Sequence, residues 1–191
     1  MTAVATRTVQ GGGSSEQPTG RQLRDAFGMF ATGVTIVTGV SPDGEPVGIT
    51  ANSFTSLSLD PPLILWCLDN KSRHLPAFAT GLQFAVHMLA HDQRELALHF
   101  ARRGQDKFQS DTVGRDSPRP PQLPGAVCRL DCQVHCVHPG GDHIIIVGEV
   151  HGVHVHSGRP LAFFAGLFGR FTAEHETPAA AVWEALHGEW M

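Results

Sequence analysis

Apolar and polar positions change their period several times along this chain. Leu23, Ala26, Phe27 and Phe30 fall on one face at helical spacing, behind a Thr19-to-Gln22 capping-box pattern. This predicts a helix over about 20–31, ending near Gly33. Residues 34–40 (VTIVTGV) are β-branched and predict a strand. Ser41, Pro42, Asp43 and Gly44 make a turn, and 47–50 return as a second strand. The run 63–68 is apolar throughout and reads as a buried strand. A short helix over 74–80 closed by Gly81, a strand over 83–89, and a helix through about 102 behind a second capping box at 92–95 come next.

From 127 to 138 the pattern alternates strictly. Cys128, Leu130, Cys132, Val134 and Cys136 share one face; Arg129, Asp131, Gln133 and His135 share the other. A Pro139-Gly140-Gly141-Asp142 turn leads into a long strand over 144–156, then a short one over 160–164. Thr177 and Pro178 start a last helix over 179–187. At least six strands and three short helices, with hairpin turns and no βαβ alternation, predict an antiparallel barrel with helical decoration.

Composition bounds this reading. The 191 residues make one domain with tails: a polar, Gly/Ser-rich disordered tail at 1–17, a domain over 18–175, and a C-terminal helix or tail at 176–191. A net charge of -4 argues against a nucleic-acid surface. No apolar run approaches the roughly 18 residues of a transmembrane helix, and no secretory signal opens the chain. Four cysteines without such a signal predict free thiols in the cytoplasm. The long stretch 104–124, rich in Gly, Pro and Asp, reads as a lid or mobile loop.

Candidate chemistry concentrates in 48–73. Small and hydroxylated residues (Gly48, Thr50, Asn52, Ser53) precede the apolar run, and Asp69, Asn70, Lys71, Ser72 and Arg73 follow it. Such a stretch suits a flat polar ring at one end and a phosphate at the other; it equally suits an ordinary hairpin, core strand and solvated loop. The cysteines at 128, 132 and 136 lack the C-x2-C pairing of zinc sites and read as small core residues, as does Cys67, so no metal is expected. His154 and His156 share a strand face without His151 and without a carboxylate at ligand spacing. His143, at the hairpin, reads either as a solvated turn residue or as a polar group beside a bound ring. Nucleophile-elbow, zinc-protease and Rossmann signatures are missing.

In order along the chain, FATGVTIVT (30–38), GITANSFTS (48–56), SLDPPL (58–63), DKF (106–108), GDHI (141–144) and FAGLFG (164–169) resemble flavin reductases of the split-barrel FMN-binding type. These are the small reductase components of two-component flavin-dependent monooxygenases. The likeness covers about 21–171. It implies a homodimer of Greek-key-like antiparallel split β-barrels. It also implies an enzyme that reduces FAD or FMN with NADH or NADPH and hands diffusible reduced flavin to a partner oxygenase. A non-catalytic flavin-binding module on the same barrel is the alternative. By the same resemblance, Val47, Gly48, Ile49, Thr50, Asn52 and Ser53 face the ring and ribityl chain. Cys67, Leu68, Asp69, Asn70, Lys71, Ser72 and Arg73 hold the phosphate, Lys107 and Phe108 close over the site, and Phe168 stands near the flavin. His143 is the catalytic candidate beside the nicotinamide. The family pattern Tyr-Arg-Gly-x-Tyr-Gly is FAGLFG here, without a hydroxyl or a guanidinium, in a chain that has no tyrosine.

Overall fold

A computed structural model describes residues 17–102, 104, 107, 108 and 119–172. The expected N-terminal tail, the helix over 179–187 and most of the 104–124 loop lie outside these residues. The described part is mainly β, with antiparallel ladders, two α-helices and one 3-10 turn.

Helix α1 (Gly20–Phe27) starts on the capping box the sequence predicts. The Gln22 amide donates to Thr19 Oγ1 at 3.3 Å, and the Thr19 amide donates to Gln22 Oε1 at 2.8 Å. It ends at Phe27, short of the expected 31, because Gly28 already caps it and its carbonyl accepts from the Ala165 amide. None of its residues is buried.

Two sheets follow. The small one orders β1 (Thr32–Gly33), β9 (Leu161–Phe164) and β10 (Leu167–Arg170) as β1-β9-β10. Strand β10, unforeseen in the sequence, returns through a turn in which Ala165 and Gly166 both have positive φ. The large sheet comprises β2 (Thr35–Val40), β3 (Pro46–Ala51), β4 (Thr55–Leu59), β5 (Pro62–Asp69), β6 (Gln83–Met88), β7 (Cys128–Gly140) and β8 (His143–Val155). Its order is β3-β2-β6-β7-β8-β5-β4. The two edge strands are consecutive in sequence, so the sheet bends round to bring them to one linker, 52–54, but no ladder joins them. Strand β4 has no counterpart among the strands expected from the sequence. Its hydroxyl-rich pattern gives no apolar alternation, and only pairing with β5 makes it a strand.

Two cores explain why the apolar runs differ. Trp66, Phe78 and Phe84 meet inside the bent sheet, with Trp66 and Phe78 edge-to-face at 4.9 Å. The second core, Ile36, Leu89, Phe100, Phe108 and Leu161 among others, fills the space between the sheet's other side, α2 (Arg94–Ala101) and the small sheet. Strand β2 lies between both cores. It is therefore buried on both faces and reads as a continuous β-branched run.

Three local expectations are corrected. Asp92 does not cap α2; Gln93 stands at the cap position without a side-chain cap bond. Its amide side chain instead accepts from the Ala90 amide at 3.0 Å and donates to the Pro124 carbonyl at 2.8 Å. The alternation of β7 breaks at a register shift between Val134 and Cys136. Cys136 thus leaves the core face, which Val137 takes, while Leu130, Cys132 and Val134 stay inside. Cys67 is half-buried on the face of β5 away from Trp66.

Residues 119–126 cross β2 and β6 as a strap. Thr38 Oγ1 donates to the Pro121 carbonyl at 2.8 Å, and the Leu123 amide donates to His87 Nε2 at 3.1 Å. The proton of His87 therefore sits on Nδ1, facing the Ile36 carbonyl at 3.2 Å.

Candidate functional site

Strand β3 is an edge of the large sheet, and α2 packs across it. Gly48 is what lets the helix so close: a Cβ there would collide with the Phe100 ring and come within 3.0 Å of Phe108. Beside it, Thr50 Oγ1 donates to the Ala97 carbonyl at 2.7 Å. Sequence reasoning attributes the openness of Gly48 to an approaching ligand; in the fold, Phe100 fills that space.

Between β3, the loop after β5 and the C-terminal end of α2 lies a cleft of about 450 Å³. It brings together eight of the predicted residues: Ile49, Thr50, Leu68, Asp69, Lys71, Ser72, Arg73 and Lys107. It adds His74, Phe100 and Arg102, which sequence reasoning missed. The signal for Phe100 was Gly48 itself, since a strand glycine implies a close neighbour. His74 and Arg102 carried none, because nothing local places a helix end against a loop thirty residues earlier.

The loop is tightly wound. Asp69 Oδ1 accepts from the Lys71 amide at 2.7 Å, and its carbonyl accepts from the Ser72 amide at 2.9 Å. Ser72 Oγ accepts from the His74 amide at 3.2 Å. Asn70 points out of the cleft and staples the loop to the β7–β8 turn. Its amide donates to the Asp142 carbonyl at 3.0 Å and its side chain to the Gly141 carbonyl at 2.9 Å.

Lys107 bolts the opposite wall. Its ammonium donates to the Phe100 carbonyl at 2.7 Å and to the Gly48 carbonyl at 2.9 Å, satisfying a carbonyl of the last helical turn. Partial burial, and then the Arg73 guanidinium, push its pKa down. His74 is also lowered, first by burial and then by Arg73 and Lys107. Its Nε2 accepts from Arg73 Nε at 3.4 Å. Behind the effect of burial, both shifts register the neighbouring cations of the cleft. Asp69 is the one carboxylate among the described lining residues, and one of its oxygens is already held by the Lys71 amide.

The remaining predicted residues stand outside the lining. Val47 is buried in the core, and Phe108 packs edge-to-face on Phe100 at 5.2 Å rather than over the cleft. Asn52 is exposed just beyond β3. Ser53 is occupied in fixing the β3–β4 link to β5, its hydroxyl accepting from the Cys67 amide at 2.9 Å. His143 pairs with Asp69 across β5 and β8 and so stands at the cleft end of the sheet. Its Nδ1 lies 2.7 Å from Asp142 Oδ1, a contact that holds the Asp142 carboxyl below its usual range. Phe168 belongs to the small sheet, 5.4 Å from Phe163 and under the Arg94 guanidinium at 5.9 Å. Arg94 begins α2, whereas the cleft is at the helix's other end.

Away from the cleft, Asp131 accepts from Arg129 and meets His154 Nε2 at 2.9 Å, a carboxylate partner that strand spacing did not reveal. No three His, Cys, Asp or Glu side chains gather as a metal site among the described residues. No helix among them is long and apolar enough to cross a membrane.

The flavin reductase like domain matches residues 27–172. The chain is 44% identical over 154 residues to the FMN reductase (NADH) SmoA of Agrobacterium fabrum, spanning 81% of this chain and 87% of that one. It is 40% identical over 159 residues to the reductase component of a flavin-dependent trigonelline monooxygenase from Acinetobacter baylyi, covering 83% of this chain and 49% of the relative. The Streptomyces globisporus NADH:FAD oxidoreductase SgcE6, solved with NAD and FAD fragments, superposes with a TM-score of 0.72 at 41% identity, covering 82% and 94% of the two chains.

Proposed function

The chain belongs to the flavin reductase like family, and from that membership we propose that the cationic cleft binds flavin while NADH delivers a hydride to it. The protein is an NADH-dependent flavin reductase, and its reduced flavin serves a partner monooxygenase. The observation that carries the cleft assignment is its makeup. Cations on two walls face the edge strand β3 at Ile49 and Thr50, which fits an anionic tail attached to a flat polar ring.

Bound together, flavin and NADH supply the hydride chemistry. The protein's part is binding, orientation and electrostatics. Lys71 and Arg73 neutralise phosphate, and Ser72 helps hold the turn that presents them. Ile49 and Thr50 give the ring an edge of strand to lie against. Lys107 keeps β3 and α2 at a fixed separation. His143, oriented by Asp142, offers its other ring nitrogen at the sheet end where the nicotinamide would enter. Phe168 would take part from a neighbouring surface.

Further parts of the reading rest on the same kinship. Edge strands β3 and β4 close toward a split barrel through the Ser53 bond to β5. The domain runs over 18–175. Two copies associate through apolar surface, and the enzyme works in the cytoplasm, where pyridine nucleotides and free thiols are found. The names of relatives carry both FMN and FAD, so kinship does not choose the flavin.

The test is NADH oxidation by purified protein with each flavin in excess, followed by NADH absorbance. Turnover well above the uncatalysed rate is expected. Flavin binding without NADH consumption would leave only a binding module.

A further inference from the structure

Arg102 is the C-cap residue of α2, with extended backbone that turns it out of the helix (φ -69°, ψ 146°). It lines the cleft from the wall across from the loop that carries Lys71 and Arg73. No carboxylate among the described residues is ion-paired with Arg102 or Arg73. One phosphate at the end of a ribityl chain is already served by the loop: the Arg73 guanidinium, the Lys71 ammonium and the short turn that holds them. A guanidinium on the other wall has no role in such a contact. The cleft nevertheless includes it in its lining together with Lys107, whose ammonium is spent on two carbonyls. A helix C-terminus favours a cation through the macrodipole alone, and only weakly at an exposed site. That accounts for a cation at this position; its place in the lining of a cleft that already holds Lys71, Arg73 and Lys107 points further, to an anionic ligand.

Resting on the flavin reading above, we infer that Arg102 recognises the second phosphate of a diphosphate, so that the cleft prefers FAD to FMN. The loop takes the phosphate on the ribityl side, and Arg102 takes the one joined to adenosine. A guanidinium suits this task because its fork can contact two phosphate oxygens at once. A pyridine dinucleotide carries the same diphosphate, so the nicotinamide partner is the competing source of this chemistry.

The experiment measures the dissociation constants of FAD, FMN and riboflavin by flavin fluorescence, without NADH, for the wild type, Arg102→Gln and Arg102→Lys. The KM for NADH is then measured with FMN as acceptor. Wild type is expected to hold FAD about tenfold more tightly than FMN, as one charge-assisted hydrogen-bonded contact provides. Arg102→Gln is expected to bring the two constants together, and Arg102→Lys to keep part of the difference. Equal constants in the wild type, or an undiminished ratio in Arg102→Gln, overturn the FAD assignment while leaving flavin binding in place. A rise in the KM for NADH with the flavin ratio unchanged overturns it in favour of the pyridine dinucleotide. Failure of the wild type to bind any of the three flavins overturns the flavin reading itself, and this inference with it.

Discussion

Single residues here do structural work that their chemistry disguises. Gly48 and Ser53 look like ligand contacts, yet one admits Phe100 and the other fixes β5. His87 is the sharper case. It is fully buried between β2, β6 and the 119–126 strap, and burial lowers its pKa from 6.5 to about 4. The Ile36 carbonyl opposes that shift, Arg129 across on β7 adds to it, and Asp131 works against it. Unfolded, His87 would bind a proton near pH 6.5; folded, it resists until about pH 4. Its contribution is therefore complete above about pH 6.5 and falls as the pH drops toward 4, by roughly 3 kcal/mol in all. Urea unfolding as a function of pH should show this loss, and His87→Gln should flatten the curve over that interval. A wild-type stability constant from neutral pH to about 4 would contradict the account.

At the scale of elements, the cleft depends on a loop held at both ends. Asp69 closes its start, and Asn70 ties it to the β7–β8 turn. Lys71 and Arg73 thereby reach the cleft on a backbone that is already ordered, so in the proposed flavin complex little entropy would be lost on binding phosphate. Replacing both with alanine should raise the flavin dissociation constant at least tenfold while changing kcat far less, because two charge-assisted contacts are lost far from the hydride. An unchanged flavin affinity in equilibrium titration would remove the loop from phosphate binding. The same loop also shows why element prediction and site prediction part company. The apolar strand β5 was legible from its run, but the staple to 141–142 lies seventy residues away and has no sequence period.

At the scale of the molecule, α1 buries none of its residues, and Phe27 and Phe30 are 71% and 77% exposed. Phe164 and Leu167 add further exposed apolar surface, and the Ala165-to-Gly28 hydrogen bond brings these two regions together. A patch of this kind marks an interaction surface. The homodimer proposed above would cover it. Sedimentation equilibrium should give a dimer for the wild type, and Phe27→Asp with Phe30→Asp should shift it toward monomer while the far-ultraviolet spectrum stays β-rich. A monomeric wild type at micromolar concentration would refute this.

Local patterning settled much on its own: the α1 capping box, the strands of the large sheet apart from β4, the β7–β8 hairpin, and the cationic stretch after β5. Those features are encoded by neighbours one to four residues apart, through side-chain period, turn chemistry and capping. Strands β4 and β10 escaped because ladder partners, not their own residues, make them strands. The bulge that turns Cys136 away from the core escaped for a similar reason, since register is a property of two strands. The motifs carried the family, yet which of their residues face the cleft was decided only in three dimensions. Packing spent Gly48, Ser53 and Phe108 on the fold, and brought His74, Phe100 and Arg102 to the cleft, because a pocket is formed by surfaces that sequence distance does not relate.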